Sequence, residues 1–137
     1  MTANQIDVIT LLTQILTDNG YTDVESDYLT ADALSSSCYV WLSEQPGTTP
    51  HVKYSDRPSV GVAVYSKEGP TASRRHAFDI QALLADSIGV PYAAGGLHRV
   101  FTDIKPYRFD IPGQPYGVAR TYAQYSFILS DLGTKWS

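Results

Sequence analysis

At 137 residues and 15.0 kDa the chain has room for one domain, residues 1–137. Its 43% hydrophobic and 18% charged residues exclude a disordered, collagenous or coiled-coil chain. Ten Lys and Arg against 14 Asp and Glu give a net charge of −4, a poor balance for displacing the counterions of duplex DNA.

Apolar runs are only a few residues long, far below the ~18 that cross a bilayer as a helix, so no membrane segment is expected. The opening MTANQIDVITLLTQIL holds Asp7 and no basic leader, so no export signal is read. One cysteine cannot form an internal disulfide, which leaves the redox compartment open. Ten tyrosines outnumber the four Phe and two Trp. Tyrosine couples a large rigid contact area to a polar tip, which suits half-buried sheet faces and interfaces alike.

The first segment, roughly Ala3 to Thr17, places Ile6, Ile9, Leu12 and Leu16, with Val8 and Ile15 beside them, at helical spacings of three and four. Thr2 or Asn4 can cap its start, and Asn19-Gly20 supplies a stop. Residues 21–35 are polar and acidic and read as a connecting loop with a short strand or turn. Cys38–Leu42 (CYVWL) is a strand, with Cys38, Val40 and Leu42 on one face and Tyr39 and Trp41 on the other. Ser43 to Ser59 holds three prolines and reads either as a long loop or as a hairpin arm.

A second clear strand follows at Val60–Tyr65. After Gly69-Pro70, Thr71 or Ser73 caps a helix to about Ser87, with Ala77, Ile80, Leu83, Leu84 and Ile88 as its apolar stripe. Gly89 stops it, with Pro91 just beyond. Leu97–Ile104 is a third strand, and residues 105–117 form a proline-punctuated turn or arm. Gly117–Leu129 is expected to be the longest strand, its Ala119, Ala123, Tyr125, Phe127 and Leu129 turned to the core and Arg120, Tyr122, Gln124 and Ser126 away. The last residues read as a loose tail. The order α-β-β-α-β-β, with strands in adjacent pairs, predicts an α+β fold: a mostly antiparallel sheet with both helices packed on one face.

The chemistry-bearing residues are scattered. Cys38, His51, His76 and His98 stand singly, and the one helical pair, His76 and Asp79 at i, i+3, falls short of a ligand set, so no metal and no cofactor are expected. There is no G-x-S-x-G elbow, and Cys38 within an apolar strand reads as an inert small hydrophobe. Asp23, Glu25 and Asp27 alternate in a polar stretch and read as solvated acids. Gly95-Gly96 precedes a strand rather than a helix, so it reads as a tight bend and not a phosphate cradle. The one basic cluster, Arg74-Arg75-His76, sits where the helix dipole is positive, at a cost of a few tenths of a kcal/mol that an exposed helix start can tolerate or that an acidic partner or a phosphate would offset. Arg99, Arg108 and Arg120 are isolated; Arg120 and its strand neighbour Tyr122 lie on a neutral face suited to a contact between subunits.

The closing strand GVARTYAQYSFIL, preceded by FDIPGQPYG, together with the helix SRRHAFDIQALLADSIG and the opening amphipathic helix, resembles the tail terminator (tail completion) proteins of long-tailed bacteriophages. The resemblance is one of layout over nearly the whole chain. It implies a structural, non-enzymatic virion protein, assembled in the host cytoplasm, that closes the head-proximal end of the tail tube as a ring, commonly a hexamer. Its implied partners are copies of itself, the tail tube protein and the head–tail connector, with DNA sliding through the lumen without specific binding and no membrane involved. Arg74, Arg75, His76, Arg99, Arg108, Arg120 and Tyr122 are then the interface candidates, and the segments 43–58 and 105–117 would reach neighbouring subunits. Other neck or connector proteins are the nearest alternative. A small ligand-binding or enzymatic α+β domain and a nucleic-acid module using Arg74 and Arg75 are the alternatives of other classes.

Overall fold

The computed structural model describes residues 7–26, 35–48, 57–109 and 118–130. Its elements run α1 (Val8–Asp18), β1 (Asp23–Glu25), β2 (Tyr39–Thr48), β3 (Arg57–Ser66), α2 (Pro70–Asp86), β4 (Gly96–Arg108) and β5 (Ala119–Ser130). The five strands form one sheet in the order β1-β2-β3-β5-β4. All neighbours pair antiparallel except β1, which pairs parallel to β2. The expected α+β class and helix placement hold, and the order gains one strand, α-β-β-β-α-β-β.

The helix-covered face holds the main core. On α1, Val8, Leu11, Leu12, Ile15 and Leu16 are buried, and on α2 Ala77, Ile80 and Leu84. They meet Val40 and Leu42 of β2, Val60, Val62 and Val64 of β3, Leu97 of β4, and Ala123, Tyr125 and Phe127 of β5. Burying the five α1 side chains contributes on the order of 10 kcal/mol against the conformational entropy lost.

Several boundaries differ from the sequence reading, each for a local reason. Asp7 caps α1 by accepting from the Ile9 amide at 3.0 Å, so the helix starts at Val8; Thr2 and Asn4 lie outside the described residues. Neither Thr71 nor Ser73 caps α2: Gly69, at φ 108°, is the N-cap, and Pro70 occupies the first turn. Ser73 is instead fully buried, donating to the Val64 carbonyl at 2.8 Å and sharing a 2.8 Å hydrogen bond with Thr121 Oγ1, which ties α2 to β3 and β5.

The hairpin-arm reading of residues 43–58 prevails at both ends, because β2 runs to Thr48 and β3 starts at Arg57. The ladder shifts register between Gln45 and Thr48, around the missing donor of Pro46. Residues 105–108 are strand rather than turn, which makes β4, at 13 residues, longer than the 12 of β5. Cys38 lies just before β2 at the margin of the core, not within the strand. Residues 49–56, 110–117 and 131–137, which include His51 and the expected loose tail, lie outside the described residues.

Candidate assembly surface

The sheet face turned away from the helices is the distinctive surface. Register fixes one row across all five strands: Glu25 beside Trp41, Trp41 beside Ala63, Ala63 beside Tyr122, Tyr122 beside Tyr107. Tyr39, Ala63 and Tyr65 form a small buried cluster there, with Trp41, Val118 and Tyr122 against it. Tyr122 lies over Gly61, where an added Cβ would fall 2.5 Å from its hydroxyl. That hydroxyl donates to Gln124 Oε1 at 3.1 Å, and Gln124 Nε2 donates to Ser59 Oγ at 3.2 Å. Burial raises the Tyr122 hydroxyl above the ordinary tyrosine range, with the Arg120 charge opposing and Tyr107 reinforcing.

Arg120 sits in this face at 6% exposure. Its Nε donates to the Tyr65 hydroxyl at 3.1 Å and its Nη1 to the Phe109 carbonyl at 3.3 Å. The rings of Phe109, Tyr122 and Tyr65 lie 5.1, 5.2 and 5.8 Å from its guanidinium carbon, a cation–π enclosure. The Phe109 amide donates back to the Arg120 carbonyl at 3.0 Å. Arg120 therefore pins the end of β4 and holds up an aromatic platform, where Tyr107 and Phe109 stack at 5.7 Å and remain 42% and 43% exposed. Farther along the same strands, Arg57 stacks on Phe101 at 3.8 Å, donates to Ser126 Oγ at 2.9 Å and faces Asp103 at 3.8 Å.

The sequence-predicted candidates separate into three places. Arg74 and Arg75 are exposed and His76 half-buried in the first turns of α2, which have neither a side-chain cap nor an acidic residue. Arg99 and Arg108 are exposed on β4. Arg120 and Tyr122 lie on the outer face as alternation implied, but as part of the support just described, where Arg120 is buried rather than freely exposed. Sequence reasoning passed over Arg57, Tyr65, Tyr107 and Phe109; only the aromatic alternation of residues 107 and 109 carried any signal.

The remaining chemistry-bearing residues do not converge. No group of three or more potential metal ligands occurs among the described residues. Asp23 accepts from Ser36 Oγ at 2.6 Å, Glu25 is exposed, and Asp27 lies outside the described residues. Burial pushes the Cys38 thiol up to about 11, with Asp23 and Asp79 adding to the shift, so it is a protonated thiol at neutral pH. Gly95, at φ 132°, closes the tight Tyr92–Gly95 bend before β4. No helix among the described residues is long and apolar enough to cross a membrane.

No family model and no curated protein matches the chain. Among solved structures, a chain from the virion of a native gene transfer agent particle shares the fold. The match has a TM-score of 0.51 at 12% identity and covers 94% of this chain and 89% of that one.

Proposed function

We propose that this chain is a structural protein of a phage-like particle that closes the head-proximal end of the tail tube as a ring and offers the surface on which the head connector docks. The observation that carries the reading is a fold shared end to end with a chain of a gene transfer agent virion, 94% of one against 89% of the other. The sheet adds support: it presents two unlike edges, and unlike patches on one subunit generate head-to-tail rings. A net charge of −4 suits a lumen through which DNA passes without being held. In this reading Arg74, Arg75, Arg99 and Arg108 contact neighbouring proteins directly. Arg120 and Tyr122 act by shaping the platform beside them.

The test is native mass spectrometry across a concentration series, with negative-stain imaging of the same samples and of mixtures with isolated tail tubes. Six-fold rings with an open centre that seat on one tube end are the expected result. Rings that ignore tube ends but bind the connector would move the protein to the neck. A chain that neither rings nor binds either structure would overturn the assembly role.

A further inference from the structure

Both edges of the sheet are open among the described residues. β4 has β5 as its one partner strand, with only an isolated bridge from Leu97 to Ile88 at the start of its other edge, and β1 covers β2 only along Tyr39–Trp41, leaving the outer edge of Leu42–Thr48 without a strand. The two edges differ in charge. Along β4 lie the exposed His98, Arg99, Lys105 and Arg108, and the acid among them, Asp103, faces Arg57 of β3. On the opposite edge lie Asp23 and Glu25 of β1 and Glu44 of β2.

Direction and level agree with a continuous sheet. β4 is antiparallel to β5, β5 to β3 and β3 to β2, so β4 runs antiparallel to β2. A second copy in the same orientation would bring its β4 alongside β1 and β2 in antiparallel sense, the more stable pairing. The row Glu25–Trp41–Ala63–Tyr122–Tyr107 then sets the level. Continued without a shift, it places Glu25 of one copy opposite Tyr107 of the next, with Lys105 two residues away along β4, whereas Arg108, paired with Thr121, alternates to the helix-covered face. Tyr107 and Phe109 are exposed at one end of the row, and next to Glu25 at the other end Trp41 has a buried Nε1 donor with no acceptor among the described residues.

We infer that the basic β4 edge docks on the acidic β1–β2 edge of a second copy, with Glu25 brought beside Lys105 and the Tyr107–Phe109 pair covered. This rests on the ring reading above and names its subunit contact. It also gives a role to the edge devices of β4. The three register irregularities, at Leu97/Arg99, Thr102/Ile104 and Ile104/Tyr107, together with Lys105 and Pro106, discourage indiscriminate strand pairing while leaving a charge-matched partner able to dock.

The test is charge exchange. Glu25→Lys and Lys105→Glu are exposed changes that leave melting temperatures near wild type. Each is expected to raise the concentration for half-assembly by about tenfold or more, measured by sedimentation velocity. Because the contact is head to tail, the double variant E25K/K105E again opposes unlike charges and is expected to recover most of the loss. Single variants that assemble like wild type, or a double variant no better than the singles, overturn this contact while rings on tail tubes still uphold the virion reading. A wild-type chain that stays monomeric at all concentrations also overturns it, and failure to load onto tube ends would remove the virion reading separately.

Discussion

Gly61 and Tyr122 are matched across two strands. The glycine is buried beneath the tyrosine ring, and any Cβ there would meet Tyr122 Oη at 2.5 Å, Tyr122 Cε1 at 2.9 Å and Ser43 Oγ at 2.9 Å. Tyr122 cannot retreat without losing its edge contacts with Tyr107 and Phe109, both at 6.3 Å. Gly61→Ala is therefore expected to destabilise the fold by about 1–3 kcal/mol in denaturant titration. In a Tyr122→Ala background the same change should cost much less, because the clashing ring is gone; equal costs in both backgrounds would refute the pairing. Little of this was legible in the sequence. Alternation assigned Tyr122 and Arg120 to the correct face, but residues 61, 65 and 109 lie far from them in the chain, and their enclosure of Arg120 follows from strand order and register.

At the level of elements, the sequence reading was strongest where periodicity ran long. Val8, Leu12, Ile15 and Leu16 of the α1 stripe, Ala77, Ile80 and Leu84 of the α2 stripe, and the strand cores at Val60–Tyr65 and 119–129 emerge as expected; Leu11, which the stripe omitted, is fully buried, Ile9 is half-buried, and Ile88 is exposed because α2 ends at the Ser87 cap, two residues before Gly89. It was weakest where tertiary pairing extends or creates a strand. β1 has three residues and exists only because β2 lies beside it, and the last residues of β4 are held in register by Thr121 and Tyr122. The start of α2 offers a separation of folding from assembly. Arg74 and Arg75 oppose the positive end of the helix dipole with no side-chain cap and no acid in the first turn. Charge reversal, R74E/R75E, is expected to stabilise the isolated chain by a few tenths of a kcal/mol per site in thermal melts. In the proposed ring the same variant is expected to slow tail completion, because reversed charge would repel an acidic partner docked there. Tail completion at the wild-type rate would remove both arginines from the interface.

For the whole molecule, composition carried the class and charge but could not place the strands relative to one another. The net charge of −4 argues against retention of DNA. Duplex DNA is accordingly expected to show no mobility shift with the chain even at low salt, and a shift abolished steeply by added salt would revive the nucleic-acid reading. Strand order was the illegible quantity. The adjacent-pair reading made the last two strands neighbours, which they are, yet the final strand also lies against β3. β5, the final described segment of the chain, is thus an interior strand of the sheet, flanked by β3 and β4. Until residues 119–130 have been synthesised, β3 and β4 have no common partner, and the hydrophobic surface under both helices stays incomplete. A nascent chain on the ribosome accordingly lacks the finished edge that a neighbour would dock against. In the proposed ring, subunit association would therefore wait until residues 119–130 have joined the sheet, a timing consequence of topology alone.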